Sequence, residues 1–128
     1  MNNKQIEFFE LVRDYLTQYL PQVRKLSPHT VRSYKTAINL LIEFFEKKKA
    51  VQLKAMTVGH INPESLNEFI IWLREMNIKA STINLRIAAV RAFLNFVCMK
   101  EPLYVGLSER IKTMKKLKVE EKPITYLS

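Results

Sequence analysis

Between Ser81 and Lys100 apolar side chains return at the period of an α-helix. Ile83, Ile87, Val90, Leu94 and Val97 fall on one side, and Leu85, Ala89, Phe93 and Phe96 widen it. Opposite lies a narrow stripe of Asn84, Ala88, Arg91 and Asn95, with Ser81 below it at the helix start. A helix that hides so much of its circumference belongs at the centre of a bundle. The segment holds no Asp or Glu, and its one open stripe is uncharged or positive. That shape and charge suit a DNA major groove, where Arg and Asn reach base edges and phosphates. A core helix with a merely solvated stripe fits the pattern equally well.

Three further segments carry the helical period. The first runs from about Lys4 to Leu20, with Ile6, Phe9, Val12, Leu16 and Leu20 on one face, and is expected to stop at Pro21. The second begins at Ser27, an N-cap followed by proline at the first helical position, and runs to about Lys49. The third is capped by Asn62, opened by Pro63, and carries Leu66, Phe69, Ile70 and Leu73 as its core face, with Trp72 read as packed. Lys54 to Ile61 reads as a loop, and Met76 to Ala80 as a connector into a helix capped by Ser81 or a neighbour. With only Gly59 and Gly106 as glycines and no alternating pattern, the fold class is all-α: a small orthogonal bundle of four main helices. Beyond Glu101-Pro102 the pattern weakens. Ser108 is expected to cap a short basic helix that few apolar residues hold to the body.

Charge sharpens this picture. Lysine and arginine number 21 against 12 acidic residues, a net charge of +9 that points to a polyanion, nucleic acid before membrane. On the second helix the charges segregate. His29, Arg32, Ser33, Lys35, Thr36 and Asn39 precede any acid, and Glu43 and Glu46 come only in the second half. Cations at a helix N-terminus oppose its dipole, so an anion nearby is expected to compensate them. The third helix, with Glu64, Glu68 and Glu75, is too acidic to approach DNA. From Arg110 to Lys122 six basic residues face two acidic ones, a strap for a phosphate backbone or a solubilising tail. The single Cys98 forms no internal disulfide, and His29, His60 and Cys98 are too scattered to hold a metal. No cofactor, small-molecule ligand or membrane span is expected, and the apolar runs read as short and broken by charge. A cytoplasmic, nucleoid-associated location is expected.

Read together, S27-P-H-T-V-R-S-Y-K, then N62-P-E ahead of a helix ending W72-L-R, then S81-T-I-N-L-R-I-A-A-V-R-A-F-L-N-F resemble the N-terminal core-binding domain of tyrosine recombinases. These are the phage integrases, Xer-type recombinases and related transposon enzymes. The resemblance covers about Leu11 to Ser128, and K122-P-I-T-Y-L-S looks like the approach to the family's catalytic domain. Glu101-Pro102 stands where the family often has Asn-Pro. The resemblance implies a SAM-like bundle over residues 1–106 forming half of a clamp around duplex DNA. Residues 107–128 would be a basic linker to an absent catalytic domain. It implies that the helices starting at Ser27 and Ser81 enter the major groove, and that other recombinase subunits join in a tetrameric synapse. The DNA contacts expected are His29, Thr30, Arg32, Ser33, Lys35, Thr36, Asn39, Ser81, Thr82, Asn84 and Arg91, with Lys112, Lys115, Lys116 and Lys118 on the linker. Arg86 comes from the family motif, and on the wheel it sits at the bundle edge, where it would hold either a carboxylate or a phosphate.

The family's chemistry needs a tyrosine nucleophile and preorganised cations on the phosphate oxygens. His29-Thr30-Val31-Arg32 imitates the family's H-x-x-R box but lies at a helix start far from where that box belongs, and no tyrosine stands between Tyr34 and Tyr104. Tyr126 reads as a linker docking residue. No catalytic residue is expected, so the chain is expected to bind DNA and cut nothing. Two alternatives stand beside it. One is a helical protein-interaction module whose charge serves solubility. The other is a helix-turn-helix regulator, which needs a tighter turn than these connectors allow.

Overall fold

Capping chemistry sets the boundaries of the two best-defined helices. The structure, a computed structural model, describes residues 3–114, with side chains from Glu7 onward. Ser27 holds extended backbone and its Oγ accepts from the Thr30 N–H at 3.2 Å, so α2 spans Pro28–Lys48. Asn62 and Ser65 exchange hydrogen bonds at 2.9 and 3.0 Å, a reciprocal capping box that opens α3 at Pro63–Glu75. Ser65 also donates to the His60 carbonyl at 2.7 Å, which makes its burial tolerable. The end of α3 is a Schellman turn, with Asn77 in the left-handed region and Ile78 N–H reaching the Leu73 carbonyl at 3.2 Å.

The first helix differs from expectation. α1 covers Asn3–Asp14, but the chain does not stop at Pro21; it continues as a π-helix over Tyr15–Val23. A proline inside an α-helix removes a donor and drives its ring into the carbonyl four residues back. A wider coil moves that carbonyl aside. It also turns Tyr15, Tyr19 and Leu20 inward together, and both tyrosines pack on Phe96, with ring centroids 5.1 and 4.9 Å away. Thr17 Oγ1 closes the junction by donating to the Arg13 carbonyl at 2.7 Å. Lys25, at φ 55°, terminates the coil and delivers the chain to the Ser27 cap.

α4, Ala80–Lys100, lies at the centre as its pattern requires, packed against α2, α3, α5 and the turn at Pro102–Tyr104. Lys79 occupies its N-cap position without a side-chain cap, and Ser81 lies inside the first turn. Contrary to the expectation of short apolar runs, α4 is long and apolar enough to cross a membrane by length and composition. Its apolar residues face the bundle: Ile83, Val90, Phe93, Leu94 and Val97 are almost wholly buried. The segment read as a loop holds two 3₁₀ turns, Leu53–Ala55 and Val58–His60, and brings Met56, Val58 and Ile61 into the core. The final helix, α5 at Val105–Lys112, contains Ser108 in its interior rather than at its cap. It is held more firmly than its sparse apolar content suggests, because Ile111 is 1% exposed and joins the core, with Leu107, Met114 and Tyr104 packed beside it. Among the described residues no strand occurs, and the architecture is an all-α SAM-like bundle.

Candidate nucleic-acid interface

The outer ridge of α2 is open along its first half. His29, Arg32, Ser33, Lys35, Thr36 and Asn39 are exposed, while Ala37, Ile38 and Leu41 on the opposite side are buried. Thr30 is half-buried because it serves the cap, receiving the Ser27 hydroxyl at 3.1 Å. Thr36 back-bonds to the Arg32 carbonyl at 3.0 Å. Among the described residues neither Arg32 nor Lys35 meets a carboxylate. The acids of the second half do have partners or lie beyond the ridge. Glu43 pairs with Lys47 at 3.1 Å, and Lys49 reaches across to Glu68 at 2.6 Å.

Two cations escaped the pattern reading. Arg24 and Lys25 are exposed in the turn that enters α2, and they add two cations just before its N-terminus. Their signal was a basic pair one residue before Ser27-Pro28, in a stretch with no acid between Asp14 and Glu43. The positive end of the α2 dipole points the same way, and α2 has no acid in its first turn to offset it.

The open row on α4 is rotated from the expected stripe. It consists of Ser81, Leu85, Ala88 and Asn95, with Ala92 half-buried between the last two, and Leu85 is exposed rather than part of the core face. The reason lies in what flanks the helix. The π-helix packs along one side, through Tyr19 on Phe96, and α5 along the other. Thr82, Asn84, Arg86 and Arg91 are half-buried. Arg91 Nη2 donates to the Met114 carbonyl at 2.9 Å, just past the end of α5. Ser108 Oγ donates to Asn95 Oδ1 at 3.1 Å. Between them is a cleft of about 60 Å³ lined by Arg91, Leu94, Asn95, Ser108, Ile111 and Lys112. Arg86 Nε is buried and, among the described residues, has no hydrogen-bond partner and its guanidinium no ion pair. Lys112 is exposed and 3.7 Å from Glu109, whereas Lys115, Lys116, Lys118 and Tyr126 lie outside the described residues.

Among the described residues no group of three or more His, Cys, Asp or Glu side chains is placed to hold a metal ion. The exposed features are a cationic ridge on α2 and, beside it in the bundle, a central helix with an uncharged open row. The family described as phage integrase, N-terminal SAM-like domain, matches residues 13–101. The chain belongs to this integrase family. Its relatives include a protein named putative integrase/recombinase y4rD of Sinorhizobium fredii, 28% identical over 105 residues, which cover 81% of this chain and 37% of that protein. A tyrosine recombinase XerC of Roseiflexus castenholzii is 27% identical over 113 residues, 88% of this chain and 32% of its own length. The chain thus spans about a third of the length of the curated relatives it matches. No solved structure matches it. Membership in the integrase N-terminal family supports a role for the domain in recombination.

Proposed function

We propose that this chain is the DNA-gripping domain of a site-specific tyrosine recombinase. It holds one side of the crossover-site duplex while a separate catalytic domain, reached through the basic segment from residue 107 onward, cuts the strand. The observation that carries this reading is the exposed cationic ridge of His29, Arg32 and Lys35, preceded by Arg24 and Lys25 and without an ion pair among the described residues, on a stretch with no acid between Asp14 and Glu43. In ordinary solvated faces the signs mix; here the acids are confined to the far half of α2 and to α3.

In this reading α2 lays Arg32, Ser33, Lys35, Thr36 and Asn39 into the major groove, while His29 and Thr30 meet the backbone near the helix N-terminus. The N-terminal half of α4 contributes Ser81, Thr82 and Asn84. Arg91 acts through α5, whose last turn stays docked by Ile111 as Lys112 and the lysines after it follow the phosphates. Neighbouring subunits of the synapse meet the exposed side of α1, which carries Glu10, Arg13 and Asp14.

Duplex binding measured against salt tests the reading. Affinity of the isolated chain is expected to be micromolar, on the order of non-specific association, and to fall steeply with salt through counterion release. Arg32→Ala and Lys35→Ala are each expected to flatten the log–log salt slope by about one unit. Glu68→Ala should leave affinity unchanged. Binding that ignores salt between 50 and 200 mM, roughly the range over which phosphate contacts are lost, would reject the proposal.

A further inference from the structure

Leu85 is out of place for a bundle residue. It is 66% exposed on a helix whose other large aliphatic and aromatic side chains, Met99 excepted, are buried. Its neighbours in the open row, Ser81 and Ala88, are small, so nothing on its own helix shields it, and a rigid surface can come close to the α4 backbone there. α5 crosses only the C-terminal half of that row, where Asn95 meets Ser108 and Arg91 meets Met114. The half around Leu85 stays uncovered among the described residues. No acid stands between Glu75 and Glu101, so α4 itself offers a polyanion no repulsion.

A row of serine, leucine and alanine offers few hydrogen bonds to base edges. What it can recognise is the one apolar group that the major groove displays, the C5-methyl of thymine. We infer that Leu85 is a specificity-determining residue that packs against a thymine methyl when α4 lies in the groove. The inference rests on the DNA-binding reading above and adds to it a preference that phosphate contacts cannot supply, because phosphates carry no sequence information. Removing one methyl from such a contact lowers affinity about fourfold, the worth of burying a single CH₃ or CH₂ group.

Duplexes enriched by the chain from a randomised pool, then resynthesised with deoxyuridine in place of thymidine, isolate the methyl. The wild-type chain is expected to prefer the thymidine form by about fourfold per contacted methyl. Leu85→Ser should bind both forms alike, with unchanged helicity. Leu103→Ser, at an 88% exposed site beyond α4, should keep the full preference. A wild-type chain indifferent to the methyl, or a Leu85→Ser variant that retains the preference, overturns the inference. So does a Leu85→Ser variant that loses only self-association, since that assigns the side chain to a contact between copies. Salt-dependent binding without a methyl effect sinks this inference alone. Binding without an enriched sequence also sinks this inference alone, and no salt-dependent duplex binding at all sinks the DNA reading beneath it.

Discussion

Arg91 shows how one side chain changes meaning once its neighbours are known. On a helical wheel it belongs to the open stripe of α4, a guanidinium free to meet a base. In the bundle its Nη2 holds the Met114 carbonyl at 2.9 Å, and its Nε is buried without a partner among the described residues. An arginine at the C-terminal end of another helix satisfies an orphan carbonyl and opposes the negative end of that helix dipole. Its work is therefore to hold the end of α5. Arg91→Ala is expected to destabilise the chain by about 1–3 kcal/mol, the usual loss for a charged hydrogen bond, while leaving the salt slope of DNA binding unchanged. Lysine at this position should rescue only part of the loss, since it lacks the planar fork. Urea unfolding together with salt-dependent binding separates this outcome from a direct phosphate contact, in which the slope falls as it does for Arg32→Ala.

At the scale of elements, legibility follows how local the deciding interaction is. The Ser27-Pro28 and Asn62-Pro63 starts were readable because each cap is settled within four residues. The π-helix was not readable: Pro21 is a stop signal for an α-helix, and its inclusion depends on Tyr15 and Tyr19 packing on Phe96 across the bundle. A wheel places Leu85 in the core because it shows one helix without the neighbours that decide which of its residues are covered. α5 was underestimated for a similar reason, since one isoleucine in a basic run gives no periodicity. That isoleucine is its anchor. Ile111→Ala is expected to cost about 2–5 kcal/mol by the usual cavity and transfer terms, less if α5 simply lifts off. Hydrogen exchange should locate the effect: amides of 105–112 gain exchange rate, while those of α2 and α3 keep theirs. Uniform loss of protection across all helices would mean that α5 is integral to the bundle rather than docked upon it.

At the scale of the whole molecule, a net charge of +9 sets two opposing responses to salt. In the free chain the cations of the α2 ridge repel one another, with no carboxylate beside Arg32 or Lys35 to relieve them among the described residues. Raising ionic strength shortens the Debye length from about 30 Å at 0.01 M to about 8 Å at physiological salt, so self-repulsion weakens and the fold is stabilised. In the DNA complex the same salt loosens the phosphate contacts, and the stabilisation that comes from binding the folded state shrinks with it. Thermal melts should therefore shift in opposite directions: the free chain melts higher as salt is added, and the chain with excess duplex melts lower. With duplex at a hundred times its dissociation constant the added stability is about 2.7 kcal/mol, large enough to resolve. Neutralising Arg24, Lys25, Arg32 and Lys35 together should raise the low-salt melting point of the free chain and abolish the gain from DNA. If the fourfold variant melts as before and still gains from duplex, the ridge is not the surface that grips, and the cationic excess serves elsewhere.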